Sequence, residues 1–244
     1  MLKFISVNKQ FGDITALEDV NFRIDDGEFV FLTGPSGAGK TTLLKLLIRE
    51  FAPTSGEIYY GDWAVHELRK KEIPHLRQSI GSVFQDFQLL DQRTVRENVQ
   101  VALAVKNIPK HEWNDRVEHV LKLVGLGDRI DLFPSQLSGG ELQRAVIARA
   151  LVVNPDLIFA DEPTGNLDWE TTAQIMELLE KINQEGKTII VTTHNKEVVD
   201  KMKKRVIELK GGKVVHDSHP KDLKSPDAEA KEDKEKVKEE NTEK

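Results

Sequence analysis

Cysteine is absent from this chain of 244 residues. Its absence excludes disulfide bonds and thiolate metal sites, and it agrees with a reducing compartment. The chain also lacks any apolar run that approaches the ~18 residues of a membrane span. Its first residues alternate like a half-buried strand and do not form the long apolar stretch of a secretory signal. We therefore expect a cytosolic protein that does not cross a membrane by itself.

An excess of positive charge is also missing. The formal net charge is −6, with 31% charged and 39% apolar residues. Proteins that coat nucleic acids need clustered Lys and Arg to neutralise phosphates, so the composition argues against a nucleic-acid partner. The basic stretches at 69–71 and 201–205 are more simply interpreted as solvated helix faces.

Short apolar runs that alternate with helical patterns predict the fold class. Alternating strands are expected at 4–7 and 20–24, followed by a fully buried run at 29–32. Two more buried runs begin at Leu157 and Thr188, and helical patterns separate them. This layout is typical of an α/β protein whose parallel sheet is wrapped by helices.

The rest of the chain divides into an insertion and a tail. No buried-strand run is evident between about residues 86 and 152, where apolar residues recur at helical spacing, so we interpret this part as an inserted helical subdomain. Residues 221–244 are nearly all polar or charged and are expected to be disordered or transiently helical. The predicted main domain therefore covers residues 1–220.

A phosphate-binding loop is predicted where the first buried strand ends. The segment matches G-x-x-x-x-G-K-[ST], whose glycines let backbone N–H groups converge on phosphates at the start of a helix. Lys40 is expected to reach the β- and γ-phosphates, and the Thr41 hydroxyl to ligate Mg²⁺. A glycine-rich turn without a ligand is the alternative. The residues assigned to the nucleotide in this loop are Gly34, Pro35, Ser36, Gly37, Ala38, Gly39, Lys40, Thr41 and Thr42.

Two acids and a histidine follow the other buried runs. Asp161 and Glu162 end one run, and His194 ends the next. Because parallel strands present their carboxyl ends together, the three side chains are expected at one sheet edge. Asp161 is assigned to Mg²⁺, Glu162 to general-base catalysis, and His194 to sensing the γ-phosphate. The alternatives are a turn or helix cap for the acids and a structural role for the histidine.

The segment Leu137-Ser138-Gly139-Gly140-Glu141 has two features. Ser138 and Glu141 have the spacing of a capping box that opens a helix. The cap does not explain Gly139 and Gly140, which leave bare N–H groups at the helix start, ready for an anion.

Together these motifs resemble the ATP-binding-cassette (ABC) superfamily, over about residues 1–215. The resemblance implies a P-loop NTPase core with a mixed sheet, an N-terminal antiparallel β region and the inserted helical subdomain. It also implies ATP hydrolysis with Mg²⁺, in which Lys40 takes part. Two chains would form an ATP-dependent homodimer, in which the segment Ser138, Gly139, Gly140 and Glu141 of one chain faces the γ-phosphate held by the other.

The resemblance assigns three further residues. Phe11 corresponds to the aromatic residue that stacks on adenine, Gln85 to a glutamine that contacts nucleotide and metal, and Asp168 to a loop that contacts the second protomer. Two positions depart from the usual pattern. Phe11 replaces the commoner Tyr, and Glu141 replaces Gln, but neither change removes the stacking face or the helix cap.

Within the superfamily, the segments 83–90 and 192–199 look like cell-division ATPases of the FtsE type. This likeness implies an FtsX-like integral membrane partner, peripheral attachment to the cytoplasmic face of the bacterial membrane through it, and signalling to peptidoglycan hydrolases. The segment 161–168 is shared with LolD- and MacB-type exporter ATPases, so a lipoprotein or drug exporter is one alternative. A scaffold that dimerises on ATP, with incidental hydrolysis, is another. Rad50- and SMC-type ATPases carry a long coiled coil between the phosphate loop and the segment that corresponds to 137–141. They are disfavoured because the roughly 100 residues in between show no sustained heptads here.

Overall fold

The computed structural model describes residues 1–223. Within them lie ten strands: β1 (Leu2–Phe11), β2 (Ile14–Ile24), β3 (Phe29–Thr33), β4 (Ser55–Tyr60), β5 (Trp63–Ala64), β6 (Ile80–Val83), β7 (Leu157–Asp161), β8 (Thr188–Thr193), β9 (Arg205–Lys210) and β10 (Lys213–Asp217). The seven α-helices in the same residues are α1 (Lys40–Leu47), α2 (Ile73–Ser79), α3 (Val95–Val105), α4 (Trp113–Leu123), α5 (Gly139–Leu151), α6 (Trp169–Gln184) and α7 (Lys196–Met202). The predicted tail falls outside the described residues, apart from 221–223. Nowhere in residues 1–223 is a helix both long and apolar enough to span a bilayer.

The N-terminal strands form an antiparallel sheet in the order β2-β1-β4-β5. Phe4 of β1 lies opposite Phe22 of β2. Their rings stack with centroids 4.7 Å apart, and both residues are buried. Such cross-strand aromatic pairs stabilise and align antiparallel strands.

The second sheet has the order β10-β9-β3-β8-β7-β6. All neighbours in it are parallel except β9 and β10, so the sheet is mixed. Thr33 pairs with Thr193, and Asp161 pairs with Thr192, so three adjacent strands end at the same edge. The mixed sheet and the antiparallel N-terminal sheet confirm the predicted fold class.

The central strands are buried on both faces, which explains their continuous apolar sequence. On β3, Phe29 and Phe31 pack into a cluster with α3, α4, α5 and α6. The alternate residues Val30 and Leu32 pack into a second cluster with α1 and the N-terminal sheet. A strand with period-2 geometry can be apolar at every position only when both of its faces are covered.

The segment between β6 and β7 is helical and contains α3, α4 and α5. The helix α3 begins at a capping box, in which Thr94 accepts a hydrogen bond from the Glu97 backbone N–H and the Glu97 side chain accepts from the Thr94 N–H. Apolar side chains of the three helices pack together in the first cluster. Whether residues 86–152 act as a separate subdomain stays a prediction.

A network of ion pairs joins β9, β10 and the start of β3. Arg205 is buried, and its guanidinium lies 2.7 Å from the Asp217 carboxylate and 3.1 Å from Glu28. Lys221 adds contacts of 2.7 Å to both Asp25 and Glu28. Burial by itself raises the pKa of Asp217, but the hydrogen bonds from Arg205 and from the His219 N–H, together with the positive charge of Arg205, outweigh it, so the net shift is downward.

This network predicts an acid-labile contribution to stability. Because the folded-state pKa of Asp217 lies below its ordinary value of 3.8, its carboxylate stabilises the fold above that pH. The stabilisation is lost as the pH falls through the folded-state pKa. We expect Asp217→Asn to lower the free energy of unfolding at pH 7 by about 2 kcal/mol and to flatten its decline as the pH falls below the ordinary Asp pKa of 3.8.

Urea unfolding at a series of pH values measures both effects. The matched control is Asp131→Asn, because Asp131 is 86% exposed and lies 3.6 Å from Arg96. An exposed pair of that kind contributes little. Equal losses in the two variants would contradict the assignment.

Candidate functional site

The predicted phosphate loop follows β3 and opens into α1. Gly34 and Gly39 have φ values of 141° and 108°, a region that residues with a Cβ atom rarely adopt. A Cβ at Gly34 would lie 2.2 Å from the Leu209 carbonyl oxygen, and one at Gly39 would lie 2.6 Å from the Leu17 side chain. The backbone therefore needs glycine at both positions.

The loop forms one wall of a cleft of about 570 Å³. Most predicted loop residues line it, but Gly34 is not part of the lining and Ala38 is buried. Side chains from the ends of β6, β7 and β8 complete the lining. The lining residues are Ala16, Pro35, Ser36, Gly37, Gly39, Lys40, Thr41, Thr42, Gln85, Glu162 and His194.

The Lys40 ammonium group is held inside the loop. Its Nζ donates to the Gly34 carbonyl at 2.8 Å and to the Pro35 carbonyl at 3.1 Å. It also lies 3.6 Å from the Glu162 Oε1 atom, and Lys40 is only 6% exposed. A fixed positive charge therefore lies where an anionic ligand would enter the loop.

Two hydroxyl groups hold the buried Asp161 carboxylate. The Thr41 Oγ1 donates to Asp161 Oδ2 at 2.9 Å, and the Thr192 Oγ1 donates to Asp161 Oδ1 at 2.5 Å. A hydroxyl and a carboxylate side by side are oxygen ligands of the kind that Mg²⁺ prefers together with phosphate oxygens. The sequence pattern alone did not identify Thr192, although this threonine lies at the end of the same buried run, two residues before His194.

Glu162 is presented to the cleft by an unusual backbone conformation. Its φ of 46° is left-handed, which costs a residue with a Cβ about 1–2 kcal/mol. Its N–H donates to the Thr192 carbonyl at 3.2 Å and to the Thr192 hydroxyl at 2.8 Å, which holds the conformation. The Glu162 Oε2 lies 3.0 Å from the Nδ1 of His194, whose side chain is 64% exposed. The structure thus brings Lys40, Glu162 and His194 together.

Gln85 also lies beside this group. A Cβ built on Gly165 would be 3.7 Å both from the Gln85 Nε2 and from the Glu162 Oε2. The amide and the carboxylate therefore occupy one region of the cleft.

Phe11 is not part of the cleft lining, and its ring packs edge-on against Phe51 with centroids 5.0 Å apart. Its adenine-stacking role stays a prediction.

The predicted capping box at the start of α5 is present. The Ser138 hydroxyl accepts from the Glu141 N–H at 3.3 Å, and the Glu141 carboxylate accepts from the Ser138 N–H at 2.9 Å. The backbone hydrogen bond from Ser138 lowers the pKa of Glu141. Asp168 caps α6 by accepting from Thr171, which lowers the pKa of Asp168. These two helix starts do not line the cleft.

The structure gives Gly139 and Gly140 a packing role that the sequence did not reveal. A Cβ at Gly140 would lie 2.4 Å from the Thr171 Cγ2, and one at Gly139 would lie 3.3 Å from Leu167. Thr171 cannot rotate away freely, because its hydroxyl donates to Asp168 at 2.7 Å. The close approach of α5 to the start of α6 therefore depends on Gly140.

We predict that Gly140→Ala lowers the free energy of unfolding by about 1–3 kcal/mol, the usual cost of overpacking. Thr171→Ser removes the clashing methyl group and keeps the hydroxyl, so the double variant should recover part of the loss. Thermal unfolding of the two single variants and the double variant measures this coupling. Gly139→Ala is the control and should cost less. Simple additivity in the double variant would argue against the proposed clash.

The chain is similar to known proteins in both sequence and structure. A model of the ABC transporter family matches residues 17–165. The cell division ATP-binding protein FtsE of Mycobacterium tuberculosis is 48% identical over 219 residues, covering 89% of this chain and 95% of that protein. FtsE of Bacillus subtilis is 47% identical over 218 residues, covering 89% and 96%. The dimeric structure of the ATP-binding cassette MJ0796 in a post-hydrolysis state with ADP and Pi matches with a TM-score of 0.81 and 39% identity, covering 91% of this chain and all of that one.

Proposed function

The chain belongs to the ABC transporter family as an ATPase subunit, and we propose that it drives an FtsEX-like complex which signals across the membrane to activate peptidoglycan hydrolysis in cell division. The observation that carries this proposal is the 48% identity to FtsE over 95% of that protein's length. The match covers nearly the whole relative and extends beyond the segment that the family model matches.

Binding of ATP is assigned to the phosphate loop. The Lys40 ammonium, held by two loop carbonyls, suits the β- and γ-phosphates, and a glycine-rich loop at a helix start allows backbone N–H groups to bind them as well. Thr41 and Asp161 would hold Mg²⁺ between them, and Gln85 lies on the same side of the cleft. Bound Mg²⁺ would neutralise charge that develops on the phosphates.

Activation of water is assigned to Glu162. Its carboxylate contacts Lys40 on one side and His194 on the other. Because His194 is exposed and touches the carboxylate, it can orient the base and contact a γ-phosphate in the cleft. ATP phosphates would compete with Glu162 for the Lys40 ammonium, which would release the carboxylate to accept a proton from water.

Dimerisation would complete the site. The Ser138–Glu141 segment and Asp168 lie outside the cleft of their own chain, which supports their assignment to the nucleotide held by a second copy. The N–H groups at the start of α5 would then face the γ-phosphate. The functional unit we propose is an ATP-dependent homodimer.

We predict that Glu162→Gln keeps ATP affinity but lowers turnover at least 100-fold, within the usual range for losing a general base. The variant should accumulate as a dimer with ATP, because the nucleotide stays intact between the subunits. Single-turnover hydrolysis and size-exclusion chromatography measure the two effects. Lys40→Ala is the comparison variant and should lose nucleotide binding instead. Undiminished turnover in Glu162→Gln would remove the base assignment.

A groove of about 480 Å³ between α2, β6, α3 and α5 is the proposed docking site for the membrane partner. Val101 and Val105 on α3 line it and are 39% and 58% exposed. Arg77, Lys106 and Arg149 contribute basic groups to the lining. These features suit a short cytoplasmic helix that carries apolar residues and acids. Peripheral attachment to the cytoplasmic face of the membrane would follow from this contact.

The partner assignment can be tested in Bacillus subtilis cells that lack their own FtsE. The tagged full-length chain should co-purify with FtsX from detergent-solubilised membranes and should restore division. Co-purification with an exporter permease instead would indicate that the chain is of the LolD or MacB type. The ATPase assignment would not be affected.

The docking groove makes a separate prediction. Val105→Glu should reduce recovery of FtsX at least tenfold, because it places a charge against the apolar helix face. Basal ATPase activity should stay unchanged, since Val105 lies outside the nucleotide cleft. The matched control is Val215→Glu, because Val215 is 54% exposed on β10 and is not part of the groove. Normal recovery of FtsX with Val105→Glu would place the docking site elsewhere.

A further inference from the structure

Arg149 joins the helix α5 to the loop that carries Gln85. Its Nη1 donates to the Gln88 carbonyl at 2.6 Å, and its Nη2 donates to the Phe87 carbonyl at 3.0 Å. The planar guanidinium group suits such paired acceptors, because its N–H groups diverge in a fixed fork. Burial lowers the pKa of Arg149. The two hydrogen bonds offset part of that desolvation.

The two acceptor residues have an unfavourable backbone conformation. Phe87 and Gln88 have φ values of 44° and 52°, in the left-handed region that residues with a Cβ avoid. Two consecutive residues in this region relax unless contacts from outside the loop hold them. The Arg149 fork is positioned to provide those contacts.

The two hydrogen bonds from Arg149 clamp the carbonyls of Phe87 and Gln88, and we refer to them as the Arg149 clamp. Phe87 and Gln88 directly follow the part of the loop that enters the nucleotide cleft. The strand β6 ends at Val83, and Gln85 lines the cleft two residues later. The sheet therefore holds one side of Gln85, and the Arg149 clamp holds the other.

We propose that Arg149 is a positioning residue that sets the place of Gln85 in the nucleotide cleft and couples it to the helix α5. The inference rests on the proposed function for the role of Gln85. Ser138 caps the start of α5, and Arg149 lies about 15 Å along the same helix at 1.5 Å per residue. A rigid-body shift of α5 would then move the capped helix start and the Gln85 loop together.

The same clamp borders the docking groove. Arg149 and Gln88 both line the groove between α2, β6, α3 and α5. A helix docked there would lie against Arg149 and Gln88.

The first test is a double-mutant cycle on the full-length chain, with Mg-ATP as substrate. Arg149→Lys supplies one compact ammonium group in place of the fork and cannot hold both carbonyls in the same geometry. We expect kcat to fall about tenfold and the KM for ATP to stay within about twofold, because the phosphate loop is unchanged. In a Gln85→Ala background, Arg149→Lys should cause no further fall, since the residue through which it acts is already absent.

The control for a general effect of replacing an arginine is Arg116→Lys. Arg116 lies on α4, and its Nε and Nη2 donate at 2.9 and 2.6 Å to one carboxylate oxygen of Glu112, the residue directly before that helix. Lysine can keep this single ion pair, so both kcat and thermal stability should match those of the unmodified chain.

A second pair of variants tests the loop without altering α5. Gln88 is exposed, so its side chain adds little to folding. Gln88→Gly tolerates the left-handed φ and is the reference variant of this pair. Gln88→Val does not tolerate it and should lower kcat several-fold with little change in KM. This pair decides the question even if Arg149→Lys folds poorly.

The outcomes separate the inference from the function on which it rests. An equal fall in kcat from Arg149→Lys in both backgrounds overturns the inference alone, as does equal activity of Gln88→Val and Gln88→Gly. If Gln85→Ala leaves turnover unchanged, the assignment of Gln85 to the nucleotide fails, and the inference fails with it.

Discussion

The hydrogen bond from Thr192 to Asp161 joins the ends of two adjacent parallel strands, and the rest of the site depends on that junction. The same threonine also binds the backbone N–H of Glu162. One side chain therefore holds the acid that suits Mg²⁺ and the backbone turn that presents the proposed base. The parallel register of β7 and β8 makes this possible, because it places Asp161 opposite Thr192.

Charge complementarity organises the cleft around this junction. Lys40, Glu162 and His194 form a chain of contacts at 3.6 and 3.0 Å, and Lys40 is also bound by the loop carbonyls. Removing the Glu162 carboxylate would leave the buried Lys40 ammonium without its anionic partner, so these two residues depend on each other. Phosphates entering the loop would weaken the contact between Lys40 and Glu162, because they provide the lysine with a stronger anionic partner.

The helix α5 connects the parts of the molecule that act at a distance from the cleft. Its start packs against α6 at Gly140, and its last turns carry Arg149, which holds the carbonyls of Phe87 and Gln88. The helix thus links the surface proposed for a second protomer, the groove proposed for a membrane partner and the Gln85 loop. Packed helices of this kind shift as units, since their interior is too dense to deform gradually.

Local pattern in the sequence determined the phosphate loop, the three buried runs and the capping box at Ser138. Each of these depends on residues close together in the chain, which either bond to one another or repeat with the period of a helix or strand. Only the tertiary structure decided the packing of Gly140 on Thr171, the double role of Thr192 and the clamp by Arg149. These contacts join residues separated by about 30 to 60 positions. The short strand β6, with a glycine in its four residues, also left no clear period to recognise. Pairing across such separations depends on how strands and helices are arranged in space. Periodicity along the chain does not specify that arrangement.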